Sequence, residues 1–463
     1  MGWSYTISEL ARMTGGEVTG RGDVSFHRVS TDTRTLERGD VFFALSGENF
    51  DGNRFVEEAF AKGAAGAVTH TANEAGPCVV VNDPLQALQR FAGGHREQFE
   101  IPVIAITGSC GKTSSKDLIA AVLQTRYKVV KTKGNLNNEI GLPLSLLEID
   151  AGTEAAVVEM GANHLGEIAR LCTIANPTEA AITMIAEAHL EGFGSLEGVA
   201  RAKGEIVSGL PESGLFYLNV DDPRCVKIAE GFHGQIVSFG ADADIALESC
   251  AFNEVGEMDL RVRPVGELVL PLHARAHAAN AVLAIAVGLQ HGVVSFEEPL
   301  RRACLESMRF KVLTAGPLEI IDDTYNANPA SLRVALEALR DRPVSGSRMA
   351  ALGDMLELGE LADALHEAAG SFAAECGVEH LFVRGRHAEA TLKGARTGGL
   401  EDVQVIDKHK DMAEAIAQRA GRGDALLVKG SRSMTMEKVI ESLQEFYDAP
   451  ERTGAASECA QGM

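Results

Sequence analysis

Basic residues are scarce in this chain. Forty-three lysines and arginines stand against 65 aspartates and glutamates, a formal net charge of −22. Nucleic-acid binding needs a basic surface, so nucleic acid is excluded as the main partner. Any anionic ligand must be held by local clusters of cations and amides. The eight cysteines are dispersed, and no two form a Cys-x-x-Cys pair. That excludes a disulfide framework or a cysteine zinc site, and it predicts reduced thiols in a cytoplasm. The N-terminus lacks a basic start followed by an apolar stretch, so no signal peptide is expected. Long apolar runs are missing as well. The longest, such as Ala281 to Leu289, cannot span a bilayer, so no membrane insertion is expected. No repeat of solenoid period is present.

What remains is a balance of 45% hydrophobic and 23% charged residues, as in water-soluble globular proteins. A length of 463 residues exceeds one ordinary core and predicts two or three domains. Residues 1–98 predict a small mixed domain, in which short strands such as Val41–Leu45 and Cys78–Val81 alternate with helical patterns. Residues 99–312 predict a doubly wound parallel α/β domain, with buried strands at Val103–Ile106, Ala155–Glu159 and Ala180–Met184. Residues 313–448 predict a second, Rossmann-like α/β unit, with strands at Leu318–Asp322, Met349–Leu352, Leu381–Val383 and Leu426–Val428. Residues 449–463 predict a disordered tail.

The segment richest in information is Thr107-Gly108-Ser109-Cys110-Gly111-Lys112-Thr113. It follows an apolar strand and precedes a helical pattern, Asp117 to Leu123. Strand, glycine turn, Gly-Lys-Thr and helix make a nucleotide phosphate site, because turn amides and a helix N-terminus point at the anion. Lys112 would reach the outer phosphates and the Thr113 hydroxyl would sit on Mg2+. The place five residues before Gly111 is Ile106, where the general motif has glycine, so this is its narrower form. The bland reading is a glycine turn with a chance Lys-Thr; the flanking strand and helix favour ATP.

Four further segments carry candidate chemistry. Glu159 ends a strand, where α/β sheets place ligands, and is either a Mg2+ ligand or a solvated charge. His189 follows the next strand. A lone histidine is more often structural, but with Glu159 nearby in sheet order a metal site is the better reading. Lys203, in a helical stretch, is by composition a surface lysine. Asp322 to Pro329 puts polar residues at a strand end, suited to ligand contact, although Asn328 also suits a helix cap. Lys429-Gly430-Ser431-Arg432 is either an anion grip or a loop with solvated charges.

Together these segments resemble the Mur ligase family, ATP-dependent amide-forming enzymes of peptidoglycan synthesis. The resemblance runs from about residue 5 to 445. It rests on TGSCGKTSSK (107–116), NLNNEIGLP (135–143), EMGANHLGEI (159–168), AHLEGFGS (188–195), AKGEI (202–206), DDTYNANPAS (322–331), LGDMLELGE (352–360), the VKGSR segment ending at Arg432, and STDTR (30–34) with GDVFFALSGENFDG (39–52). EMGANH and DTYNANP discriminate more sharply than the phosphate loop. The resemblance implies three domains: one that holds a UDP-sugar, one that binds ATP and one that closes over both. It implies a ligase that phosphorylates the carboxylate of UDP-MurNAc-tripeptide and passes the acyl group to D-Ala-D-Ala. It also implies a monomer.

Residue roles follow from the resemblance alone. Thr107 to Thr113 with Asn280 would hold ATP, and Asp323 would contact its ribose. Thr113, Glu159, His189 and Lys203 would hold Mg2+, with Lys203 carbamylated by CO2 and so turned from cation to anion. Arg309 would stabilise the γ-phosphate. Ser30, Asp32, Thr33 and Arg34 match the UDP-sugar domain. Asn138, Asn326, Asn328, Lys429 and Arg432 would meet the peptide substrates.

The chain departs from the family pattern in three places. Ala276 to Asn280 keeps only the final Asn of the His-Asn-x-x-Asn segment, Met184-Ile185-Ala186 replaces Asn-Ile-Gly, and Asn53 replaces a histidine. None of these is a phosphate, metal or carbamate position. A sister ligase that adds the third amino acid is disfavoured by DTYNANP and by the lack of an Asp-Asn-Pro-Arg segment. A non-catalytic ATP-binding regulator is disfavoured by intact Lys112, Thr113, Glu159, His189 and Lys203.

Overall fold

Strands of this chain are assembled into three large sheets and two two-stranded ribbons in a computed structural model that describes residues 2–47, 50–306 and 310–448. Arg309 and the tail from residue 449 lie outside the described residues.

The strand Val103–Thr107 is buried along its whole length and sits inside a nine-stranded sheet. Its side chains alternate between two cores. Val103 and Ala105 face one, Ile104 and Ile106 the other. Helices therefore cover both faces, as a buried parallel sheet requires. Ala155–Glu159 and Glu179–Ile182 pair with it on either side, both parallel. The chain runs from Val103–Thr107 through the helix Lys112–Leu123 to the edge strand Val129–Lys131, and later strands build the opposite side. The order reverses beside Val103–Thr107, so a crevice opens at its carboxyl end.

The sheet is not parallel throughout. Met258–Arg263 pairs antiparallel with Ile245–Phe252 and with Gly266–Leu270. Met258, Leu260 and Val262 are buried while Asp259, Arg261 and Arg263 are exposed. This period-2 pattern marks a strand with one wet face, which antiparallel pairing tolerates.

The N-terminal sheet has five strands, ordered Glu17–Thr19, Cys78–Val80, Gly66–Thr69, Val41–Phe43 and Val29–Ser30. The helix Pro84–Arg96 starts cleanly, with Asp83 as cap and Pro84 in the first turn. It ties this sheet to the nine-stranded one. His95 Nε2 donates to the Ile149 carbonyl at 2.8 Å, and Arg96 serves the carbonyls of Phe99, Ile101, Ala175 and Asn176 within 3.4 Å. One continuous apolar core runs from Ile7 to Ala229.

The third sheet has six strands, with Leu318–Asp323, Ala425–Lys429, Arg348–Leu352, His380–Val383 and Val403–Val405 parallel. Leu318–Asp323 is not its first strand, contrary to the sequence reading. Lys311–Ala315 precedes it and forms an antiparallel hairpin. That segment is only partly buried apart from Ala315, as suits an edge.

Candidate active site

The phosphate loop is built by close approach. Gly108 has φ 144°, and a Cβ there would lie 2.0 Å from the Thr183 hydroxyl. Gly111 has φ 81°, and its Cβ would lie 2.6 Å from Asn280 Oδ1. Only glycine satisfies both the angle and the space. Thr107 Oγ1 donates to the Met160 carbonyl at 2.8 Å, and the Ser109 hydroxyl bonds the Ala186 carbonyl at 2.8 Å, so the loop is pinned to both neighbouring strand ends. Lys112 Nζ arches back to the Gly108 carbonyl at 2.7 Å. The helix Lys112–Leu123 begins with no side-chain cap. Its first amides are thus left to an anion, which is the arrangement a triphosphate needs. Ser115 Oγ donates to Asn280 Oδ1 at 3.1 Å, which fixes the helix His277–Gln290 against the loop.

Glu159 is buried at its strand end. Its carboxylate accepts from Thr113 Oγ1 at 2.8 Å and from Asn137 Nδ2 at 2.7 Å. A carboxylate and a hydroxyl so paired are hard oxygen donors of the type Mg2+ takes. Sequence reasoning chose Asn138 from this segment and missed Asn137. Asn138 lines the same cavity, but its oxygen holds the local turn through the amides of Ile140 and Gly141 at 3.2 and 2.9 Å. Among the described residues, no group of three or more His, Cys, Asp or Glu side chains is gathered to hold a metal. Glu159 and His189 do not by themselves make a centre.

His189 has φ 52°, and its Nδ1 is bonded by Glu357, from the turn that follows the third-sheet strand Arg348–Leu352. Burial pulls its pKa down, and Glu357 opposes that pull. Lys203 is not the surface residue its composition suggested, since only 1% of it is exposed. The helix Leu196–Ser208 turns it inward with Val199, Ala202 and Ile206. Its Nζ meets the Ala162 carbonyl at 3.3 Å and lies 5.2 Å from the Phe193 ring centroid. Burial, helped by the Lys112 charge, depresses its pKa to about 7. Lys112 acts electrostatically on both His189 and Lys203, so the three share one neighbourhood.

The third sheet presents its carboxyl ends to this loop. Asn328 caps the helix Pro329–Asp341, accepting from Ser331 N at 2.8 Å. The same amide reaches the phosphate loop, accepting from Cys110 Sγ at 3.3 Å and donating to the Ser109 carbonyl at 3.4 Å. The cap reading therefore holds, and the same side chain also ties the third sheet's helix to the phosphate loop. Burial pushes the Cys110 thiol up, away from the reactive thiolate.

Lys429 and Arg432 do not form a two-cation grip. Lys429 ends a wholly buried strand, pairs with Asp323, its partner in strand register, and donates to the Asn326 carbonyl at 2.8 Å. A buried ammonium must be paired, and Asp323 supplies the charge. Arg432 points outward to Glu437 at 3.2 Å and does not line the cavity.

A cavity of about 770 Å³ joins these parts, bounded by Lys112, Thr113, Glu159, His189, Asn328 and Lys429 among others. Ser30, Asp32, Thr33 and Arg34 do not border it. They make a separate turn, in which Asp32 clamps Arg34 and is pulled to about 2, and Lys62 Nζ holds the Thr33 carbonyl at 2.7 Å. Glu357, the residue that reaches His189, was assigned no role from sequence, because its partner lies 168 positions away.

A phosphate loop on a doubly wound sheet, with a second parallel sheet docked over its phosphate end, defines a multidomain nucleotide-using α/β enzyme. The chain belongs to the Mur ligase family. Residues 106–288 match the Mur ligase middle domain, 308–432 the Mur ligase glutamate ligase domain, and 25–130 the Mur ligase family catalytic domain. The UDP-N-acetylmuramoyl-tripeptide–D-alanyl-D-alanine ligase of Escherichia coli is 36% identical to it, over 96% of this chain and 99% of its own. MurF from Acinetobacter baumannii shares the structure with a TM-score of 0.87 and 31% identity, over 96% and 99% of the two chains. MurF ligase from Thermotoga maritima, solved in complex with ADP, has a TM-score of 0.80 and 28% identity, over 90% and 97%.

Proposed function

We propose that this chain is the ATP-dependent ligase that joins D-Ala-D-Ala to UDP-MurNAc-tripeptide, giving UDP-MurNAc-pentapeptide, ADP and phosphate. The observation that carries the chemistry is the uncapped helix behind Gly111 beside the Thr113–Glu159 pair, facing the third sheet across one cavity. The carboxylate of the tripeptide attacks the γ-phosphorus, and ADP leaves. The amine of the dipeptide then attacks the acyl carbon, and phosphate leaves as the amide forms.

Crowded anions must meet in the first step, so positive charge is the catalytic need. Lys112 and the amides of the first helical turn receive the outer phosphates. Thr113 and Glu159 would hold Mg2+, with His189 and Lys203 completing its surroundings. Held there, a divalent cation would supply positive charge against the crowded phosphates. A lysine depressed to about 7 has a substantial share of free amine at neutral pH, the form that carbamate formation requires. Its nitrogen bonds the carbon of CO2, and one proton is lost. Arg309 would stabilise the transferring phosphoryl, Asp323 the ribose, and Asn280 the nucleotide side of the loop. Ser30, Asp32, Thr33 and Arg34 would receive the UDP-sugar, and Asn138, Asn326, Asn328, Lys429 and Arg432 the peptide ends. Among the described residues no helix is long and apolar enough to cross a membrane. We infer a monomer working in the cytoplasm on these small molecules.

Phosphate release with ATP, Mg2+ and UDP-MurNAc-tripeptide tests the reading. Release that requires D-Ala-D-Ala, with a product mass equal to the joined species, is expected. Release only with UDP-MurNAc-dipeptide and a free amino acid would transfer the protein to the sister reaction. Bound ATP without release in either mixture would make it a regulator.

A further inference from the structure

The third domain touches the metal side of the cavity through one turn. Residues 353–358 follow the strand Arg348–Leu352, and Met355 and Leu358 anchor them in the core. Leu356 N donates to Ser431 Oγ at 2.9 Å. Glu357 stands at the tip with φ 62°. Its backbone oxygen accepts the Glu191 amide at 3.1 Å, and its carboxylate takes His189 Nδ1. Both partners are non-glycine residues in the left-handed region, where a side chain stays only if its surroundings hold it there.

A carboxylate oxygen only accepts. Nδ1 therefore carries the ring hydrogen, and Nε2 keeps its lone pair. Histidines that bind metals are commonly set by such a bond on the other nitrogen. We propose that Glu357 is the positioning residue for His189, fixing the tautomer that leaves Nε2 for the divalent cation of the nucleotide. Because Glu357 belongs to the third domain, the cation site is complete only when that domain is docked. Cation binding and docking then strengthen each other by the same factor. The proposal rests on His189 being a metal-binding residue, as in the function above.

The test uses the full chain with ADP and Mn2+ as probe, reading free Mn2+ by electron paramagnetic resonance. Glu357→Ala weakens Mn2+ binding about 10- to 100-fold. Glu357→Gln, whose amide oxygen still accepts from Nδ1, retains most of the affinity. Glu357→Ala adds no further loss to His189→Ala. At equal Mn2+ and ADP, scattering gives a larger radius of gyration for Glu357→Ala than for the parent. If His189→Ala weakens Mn2+ and Glu357→Ala does not, the proposal falls while the role of His189 stands. If His189→Ala leaves affinity unchanged, both fall. Thermal melts establish that each variant is folded, and Glu357→Ser decides in place of an unfolded Glu357→Ala.

Discussion

Lys203 is the residue whose chemistry is furthest from its composition. Its amine is buried and titrates at about 7 when folded, against an ordinary value of 10.5. Between those two values the unfolded chain holds a proton that the folded chain has lost. Stability therefore rises with pH from about 7 to 10.5 and is flat below about 7, where both states are charged. The slope is at most roughly 1.4 kcal/mol per pH unit. Urea unfolding in bicarbonate-free buffer should show that rise, and Lys203→Met should flatten it. In turnover, Lys203→Ala should lower phosphate release by about 100-fold or more, the scale of losing a charge-stabilising group. Unchanged release in that variant would remove Lys203 from the catalytic set. None of this was legible in Ala-Lys-Gly-Glu, because burial is decided by what the helix packs against.

At the scale of elements, the phosphate loop was legible and its supports were not. Strand, glycine turn and helix are contiguous, so local pattern was enough to place Gly108 to Thr113. The side chains that forbid a Cβ at Gly108 and Gly111 come from Thr183 and Asn280, far along the chain. Gly111→Ala should weaken ADP binding about 5- to 30-fold, the cost of a left-handed alanine, with the Asn280 contact adding to it. Calorimetric titration reads that loss.

Asn328 joins two elements with one amide. Asn328→Ala should cost about 1 kcal/mol through the lost helix cap, seen as a lower urea midpoint. It should also raise the KM for ATP, since both bonds to the loop go with it. Asn328→Asp keeps the cap but cannot donate to the Ser109 carbonyl, so it should recover stability without recovering KM. The antiparallel hairpin Met258–Arg263 with Gly266–Leu270 was within reach of the sequence, through its strict alternation of buried and exposed residues, and was missed by reading the whole region as parallel.

Across the whole molecule, the three large sheets make fewer than three mechanical parts. The N-terminal and nine-stranded sheets share one core, fastened by His95, Arg96 and the Trp3 bond to the Leu147 carbonyl at 2.7 Å. The third sheet has two apolar cores, one of which takes in Ala274 of the middle domain, and its domain reaches the phosphate loop through Asn328 and His189 through Glu357. Spin labels on the first two sheets should therefore keep a fixed distance when ADP and Mg2+ are added. A label on the third sheet should move against both. A change within the first pair would break this division. The sequence reading drew its boundary at residue 98, ahead of the phosphate-loop strand, and local pattern cannot mark a core that crosses that boundary.

The shared core also orders events at the ribosome. A segment ending near residue 98 leaves the pathway with Phe91, Ala92 and Leu88 waiting for partners that continue to Ala229. The small cluster of Leu36, Phe42, Val56 and Cys78 needs nothing beyond residue 78, but nearly half the chain must be synthesised before the shared core can close, so Leu88, Phe91 and Ala92 stay exposed on the nascent segment for the whole of that interval.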